Sequence, residues 1–363
     1  FHAEDDDAGG LGLGTEDEFR RADGLFLANR RLDFYSDVKP LSGKGGNHTV
    51  LRASFGGQPC CLKKFTFPAD DSGKAKRHLV REARRLRVLG SHPFIASADA
   101  VFEESPRHGL QDAYLQMPLY EGGDLVDYLR NNAPSTPRIK SILKTVLYQA
   151  VSALDFVHSN GISHADVKLE NIAIAVDANG VPSARLIDFE LSRVDASAAG
   201  VSPTEQRVAM TTSQGLTMAY AAPEVQSGQP ASFSSDMFSF GVCIFNSMKL
   251  LEQCVQNPSM VVTGSLNASN NLVDSSVADG RLGCTDEPHF GSLVESLLAF
   301  EPMNRPSAGD AMRHPFLDPL SAMVQAEEAS AEVAEQRLRA EEDAAKARQR
   351  IQREAAIKQR QLE

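Results

Sequence analysis

The sequence predicts an α+β protein of two lobes, the first a sheet carrying one helix and the second mainly helical. Three observations carry that expectation. At 363 residues the chain exceeds what one hydrophobic core organises, which favours two packed lobes plus tails. Up to residue 120 the apolar residues fall in short strand-like runs broken by glycine turns, with one helical stretch among them. Beyond it they recur mostly at spacings of three and four, the period of buried helices.

Residues 1–32, acidic and Gly-rich at first, read as a flexible extension. Regular patterning starts near residue 33. "TVLRASF", "GGQP" and "CCLKKF" give strand, turn and strand. "AKRHLVREARRLRVLG" places Leu79, Ala83, Leu86 and Leu89 on one helical face and stops at Gly90. "DAYLQMPLY" returns to strand. "SILKTVLYQAVSALDFVHSNG" is the first long helix of the second lobe. "SSDMFSFGVCIFNSMKLL" is apolar nearly all round, as a buried helix is. "HFGSLVESLLAF" and "SAGDAMRHPF" are shorter helices. Residues 256–287, polar and rich in Ser, Asn and Gly, form a loop insertion in which Asn267-Ala268-Ser269 fits a glycosylation acceptor only by chance. Residues 321–363 hold neither Gly nor Pro and are strong helix formers. Their apolar positions keep no steady heptad, so an exposed helix laced with charge pairs stands first and a weak coiled coil second.

A net charge of −11 argues against a nucleic-acid or membrane-surface binder as a whole, leaving room only for local anion sites. The longest apolar run, "MFSFGVCIF", is too short to span a bilayer, and "FHAEDDDAGG" has no leader pattern. Five cysteines with no CxxC pair fit a reduced, intracellular setting, cytoplasmic with a nuclear pool as an option. The chain starts at Phe1 without an initiator Met, as a fragment of a longer protein would.

The sharpest chemical stretch is "HADVKLEN", His164 to Asn171, followed by a second acidic element at Asp188 after the strand-like "ARLI". Asp166 can accept a hydroxyl proton and Lys168 can neutralise a phosphate. Asn171 and Asp188 offer the hard oxygens that Mg²⁺ prefers. By residue type alone, a solvated polar loop accounts for the stretch equally well.

In order along residues 41–317, these stretches resemble the eukaryotic protein kinase superfamily, of the Ser/Thr type. "SGKGGNHTVLRA" resembles the glycine-rich loop over ATP phosphates, with Gly43, Gly45 and Val50 in place and His48 at the third glycine. "CCLK" resembles the strand ending in the ATP-anchoring lysine. Cys61 takes the small position facing adenine, and Lys63 rather than Lys64 takes the anchor, with strand alternation turning Lys64 to solvent. Glu82 is its implied ion-pair partner. "LQMPLYEGGDL" resembles the inter-lobe hinge: Met117 as gatekeeper, the Pro118 carbonyl and Tyr120 amide toward adenine, Asp124 toward the ribose. Ala173 joins the implied nucleotide set. "TMAYAAPE" resembles the end of an activation segment, with Thr217 packing on the catalytic residues and Glu224 paired to Arg305. Asp236 would cap the catalytic loop.

The resemblance implies a kinase domain over 33–317, with a first lobe at 33–117, a hinge at 118–121 and a second lobe at 122–317. It implies ATP and Mg²⁺ as cofactors, Asn171 and Asp188 as metal ligands, Asp166 as base and a protein Ser/Thr hydroxyl as substrate. A further partner would act through the helix of residues 318–363; no nucleic acid and no membrane span are implied. Three positions depart from the pattern. His48 replaces a glycine. Ala165 replaces the arginine that clamps a phosphorylated segment. Glu190 replaces the glycine after Asp188-Phe189, which removes access to positive φ. An outward, solvated Glu190 is the expected placement, with a carboxylate turned to the metal as the alternative. Two functions follow: an active Ser/Thr kinase, or a scaffold that binds nucleotide and transfers little phosphate.

Overall fold

The computed structural model describes residues 25–27, 29–41, 49–68, 74–105, 107–133, 138–194, 218–256 and 287–318. Expectations for Gly43, Gly45, His48, Thr217, the 257–286 loop and the 319–363 helix lie outside the described residues.

The first lobe is an antiparallel sheet of β1 (Ser36–Pro40), β2 (Thr49–Phe55), β3 (Gln58–Pro68), β4 (Ala100–Glu103) and β5 (Leu110–Pro118), in the order β1-β2-β3-β5-β4. The β2–β3 turn is Gly56-Gly57, with φ of 58° and 79°, and Phe55 pairs with Gln58 across it. Two successive positive φ values are what a tight two-residue hairpin requires, and glycine meets that requirement without strain. Helix α1 (Lys74–Leu89) lies across the sheet and buries the four residues its period predicts: Leu79, Ala83, Leu86 and Leu89.

Alternation along β3 divides its side chains between two cores. Cys60 and Leu62 join Tyr35, Ala53, Phe102 and Tyr114 on one face, while Phe65 and Phe67 join the main core under α1. Register fixes the rest. Val50 pairs with Lys63, Lys63 with Leu115, and Cys61 with Met117. Cross-strand partners share a face, so Val50, Cys61, Lys63 and Met117 project together toward the cleft side.

The reading of residues 1–32 as a flexible extension is corrected over its last part. Leu25 is buried, Phe26 bridges Val101 in parallel, and the Leu27 and Val101 amides donate to Val101 and Leu25 carbonyls, each at 2.8 Å. The Arg30 guanidinium and the Tyr35 hydroxyl both donate to the Gln116 amide oxygen. The reason is that β4 is a sheet edge with unpaired backbone groups, and this segment pairs them.

The second lobe comprises α2 (Leu125–Asn132), α3 (Ile139–Ser159), short strands β6 (Ile162–Ser163), β7 (Ile172–Val176), β8 (Pro182–Leu186) and β9 (Arg193–Val194), then α4 (Pro223–Gln226), α5 (Phe233–Gln256), α6 (Phe290–Leu297) and α7 (Ala308–Met312). Helix α5 buries Val242, Cys243, Ile244 and Phe245 in succession, so it is enclosed on all sides, as its composition predicts. The lobes join at Gly122, whose backbone lies against β7: its amide donates to the Ile174 carbonyl at 3.0 Å, and the Ile174 amide returns to Gly123 at 2.8 Å. A β-carbon at Gly122 would sit 2.6 Å from the Ile174 oxygen, so this approach admits glycine alone.

Candidate active site

The β7–β8 hairpin delivers two of the predicted site residues together. Asn171 precedes β7 and Asp188 follows β8. The Ile172–Leu186 register brings their flanks into contact, with the Ile187 amide donating to the Asn171 carbonyl at 3.0 Å. Asp166 and Lys168 lie on the loop between β6 and β7, and Lys63 and Glu82 come from β3 and α1.

The Asp166 cluster is closely satisfied. Lys168 Nζ donates to Asp166 Oδ2 at 2.5 Å, and Asn171 Nδ2 donates to the Asp166 carbonyl at 2.8 Å and to its Oδ2 at 2.9 Å. Those two bonds fix the amide orientation and leave Asn171 Oδ1 as its acceptor atom. Burial raises the Asp166 pKa against the opposing charge of Lys168, a direction suited to a proton acceptor. Beneath the loop, buried Asp236 accepts from the His164 amide at 2.7 Å, the Ala165 amide at 2.9 Å and His158 Nε2 at 2.9 Å. Ala165 has φ 65°, a costly conformation for a residue with a β-carbon, and the Asp236 bond holds it there. Burial lowers the His164 pKa, so the ring is neutral. Its Nε2 then donates to the Ile187 carbonyl at 3.0 Å while Nδ1 accepts from the Asp166 amide at 3.3 Å. The Phe189 ring, fully buried, lies 4.7 Å from the His164 ring and leaves Asp188 facing the cleft.

The Lys63 cluster is crowded with negative charge. Lys63 Nζ meets Glu82 at 2.9 and 3.1 Å, Asp188 Oδ1 at 2.8 Å and Glu190 Oε2 at 3.4 Å. Burial works against its ammonium, but Asp188, Glu82 and Glu190 outweigh it and raise the pKa. Burial pushes Glu82 up to about 7 despite Lys63, and the neighbouring carboxylates push the same way. Both partners move upward because the ammonium gains from three anions, whereas Glu82 shares one cation with two rivals. For Asp188 burial is outweighed by the charge and hydrogen bond of Lys63, which hold it below the usual carboxylate range.

Glu190 corrects the sequence reading: it is turned inward, 9% exposed, with Oε1 3.0 Å from His78 Nδ1 on α1 and Oε2 on Lys63. The physical reason is that Lys63, buried in this lobe, attracts any carboxylate within reach. Its backbone is not among those with positive φ; the left-handed residue here is Asp188, at 66°, and aspartate tolerates that region.

The residues expected on the nucleotide side take the following places. Lys64 turns away from the cleft and pairs with Asp112 at 2.8 Å. Cys61, opposite Met117, has its thiol pushed up to about 12 by burial and is no nucleophile. Val50 and Pro118 sit at strand positions opposite Lys63 and Cys60. Tyr120 packs on the main core. Asp124 caps α2, accepting the Asp127 amide at 2.9 Å, and bridges the backbone of buried Ala173. Away from the cleft, Glu224 and Arg305 form a two-pronged pair at 2.6 and 2.8 Å.

Asn171 and Asp188 present only hard oxygen donors, which fits Mg²⁺. Among the described residues Glu82, Asp188 and Glu190 also bring one oxygen each within 4.8 Å of one another. His78 was missed beside the Lys63 cluster, although it stands four residues before Glu82 and so shares its helix face.

The chain matches the family model for the protein kinase domain over residues 36–317. It is 32% identical over 239 residues to a bifunctional serine/threonine-protein kinase/NEDD4-like E3 ubiquitin-protein ligase of Dictyostelium discoideum, covering 64% of this chain and 11% of that protein. It is 27% identical over 333 residues to the mitogen-activated protein kinase HOG1 of Zygosaccharomyces rouxii, covering 85% of this chain and 70% of that protein. Human ribosomal protein S6 kinase alpha-4 is 29% identical over 241 residues, 64% of this chain and 28% of that protein.

Proposed function

Since the chain belongs to the protein kinase family, we propose that it transfers the γ-phosphoryl group of ATP to a serine or threonine hydroxyl of a protein, with Mg²⁺. The observation that carries this reading is the convergence of Asp166, Lys168 and Asn171 with Lys63, Glu82 and Asp188 in one cleft between the lobes.

Asp166, its pKa raised by burial, takes the hydroxyl proton as the hydroxyl oxygen bonds to phosphorus and the bond to the ADP oxygen breaks. Lys168, beside Asp166, adds positive charge where the transferring group gathers negative charge. Lys63 anchors the nucleotide phosphates, and Glu82 keeps Lys63 in place. Asn171 and Asp188 would hold Mg²⁺, which when bound neutralises phosphate charge. The serine/threonine preference rests on Lys168 within Asp166-x-Lys168-x-x-Asn171 and on the Dictyostelium discoideum relative, a bifunctional serine/threonine-protein kinase. A second reading, a nucleotide-binding scaffold with little transfer, draws on Glu190 turned onto Lys63.

Transfer of labelled γ-phosphate from Mg-ATP to a mixed Ser/Thr peptide library, by wild type and Asp166→Asn, separates the two. Transfer by wild type and its loss in the variant, with ATP binding retained by thermal shift, supports the kinase. Equal transfer by both sinks the Asp166 assignment, and ATP binding without transfer in the wild type establishes the scaffold.

A further inference from the structure

Helix α1 meets the chain after β8 through residues set one helical turn apart. His78, Glu82 and Arg85 stand at i, i+4 and i+7 and share a face. His78 Nδ1 lies 3.0 Å from Glu190 Oε1; Glu82 reaches Lys63, which in turn holds Asp188 at 2.8 Å; Arg85 donates to the Ser192 hydroxyl. The third contact is itself anchored, because the Ser192 hydroxyl donates to the Phe189 carbonyl and the Ser192 amide bonds the same oxygen at 3.2 Å. The segment Asp188–Ser192 is thus fastened to the helix above, midway and below the Lys63–Glu82 pair. Of these contacts the first exists only because residue 190 carries a polar side chain that reaches His78. Glu190 is nearly buried, spends one oxygen on α1 and the other on β3, and so ties three elements of the cleft at one point.

We infer that Glu190 is a positioning residue: through His78 it pins α1 against the Asp188–Ser192 segment, and so keeps Glu82 on Lys63 without any further group being bound or added. The inference rests on the kinase reading for its effect on turnover, but the pinning itself is a property of the chain. Glu190 is the most distant of the three carboxylates on Lys63, at 3.4 Å against 2.8 and 2.9 Å, and lies 3.0 Å from His78.

The test uses the full chain with His78→Ala, Glu190→Gly, Glu190→Gln and the double variant His78→Ala/Glu190→Gly. Hydrogen exchange over residues 74–89 is read first, without nucleotide. The expected result is faster exchange of α1 in His78→Ala and Glu190→Gly, with no further increase in the double variant and partial rescue in Glu190→Gln, whose amide still bonds the imidazole. Kinetics come second: kcat for phosphoryl transfer falls by about tenfold in His78→Ala, since displacements of roughly 1 Å at a remote support cost up to about 100-fold, while KM for the peptide stays put. A scaffold with no transfer in the wild type would remove the kinetic arm and the kinase reading, yet leave the exchange result to decide the pinning. Unchanged exchange in both single variants, additive effects in the double, or higher turnover in Glu190→Gly would each overturn the inference, the last by making Glu190 a blocking contact.

Discussion

Around Asp236, one carboxylate meets fixed donors: two backbone amides at 2.7 and 2.9 Å and the His158 ring. Around Lys63, one ammonium meets three carboxylates, Glu82, Asp188 and Glu190. Both clusters are largely buried, with Asp188 partly exposed, and both hold residues of the same cleft in place. The difference is in what each lacks. The Asp236 cluster is complete as it stands and works as scaffold for the Asp166 loop. The Lys63 cluster carries an excess of negative charge, and it becomes balanced only when positive charge arrives or a proton is retained.

Breaking the complete cluster should cost most. Asp236→Ala leaves two buried amides without an acceptor and releases the left-handed Ala165, so stability falls by about 3–5 kcal/mol. Urea unfolding measures it. A loss under about 1 kcal/mol would mean that water replaces the carboxylate and that the loop is held by something else.

Breaking the crowded cluster should do the opposite at neutral pH. The Glu82 carboxyl titrates at 4.5 when free and at about 7 in the fold. Between those values the folded protein keeps a proton that the unfolded chain has released. The contribution of Glu82 to stability is therefore full below pH 4.5 and is lost as pH rises through 7, about 3 kcal/mol in all. Asp166, also raised by burial, slopes the same way, whereas Asp188, held low by Lys63, loses its contribution only on the acid side of 3.8. Glu82→Gln mimics the protonated form. It should match wild type below pH 4.5, exceed it at pH 8 and flatten the pH profile, while abolishing phosphoryl transfer. A variant that keeps the wild-type slope would show that charge crowding at Lys63 is not its source.

Much of this architecture was legible beforehand, and the reasons are physical. The face of α1 follows from the spacing of Leu79, Ala83, Leu86 and Leu89, the β2–β3 turn from Gly56-Gly57, and the enclosed α5 from its lack of a polar face. The two sides of the site were legible as types of residue at ordered positions. What local pattern could not give was the direction of Glu190 or the docking of residues 25–27. Both depend on partners far along the chain: Glu190 on Lys63 and His78, and Leu25 on Val101. A solvated glutamate is the ordinary state of the residue type, and only the buried ammonium reverses it. The spacing of His78, Glu82 and Arg85 held the missing signal, since three polar residues on one helix face ask for a polar partner.

The neighbouring lysines of β3 give the finest form of the contrast. Lys63 is 6% exposed and serves three carboxylates, whereas the Lys64 side chain is 30% exposed and pairs with Asp112, itself 33% exposed. Asp112 also accepts from the Thr66 hydroxyl at 2.6 Å, so it keeps a partner when Lys64 is removed. Alternation alone separates the two residues, since one step along a strand turns a side chain to the opposite face. Lys64→Ala should therefore cost under about 1 kcal/mol, the scale of a solvent-screened pair, and leave transfer unchanged. Lys63→Ala, one residue away, strands three acidic groups in the cleft and should end activity. If Lys64→Ala instead impaired transfer as Lys63→Ala does, the strand register that orients the whole cleft would be wrong, and with it the assignment of Lys63 as the nucleotide anchor.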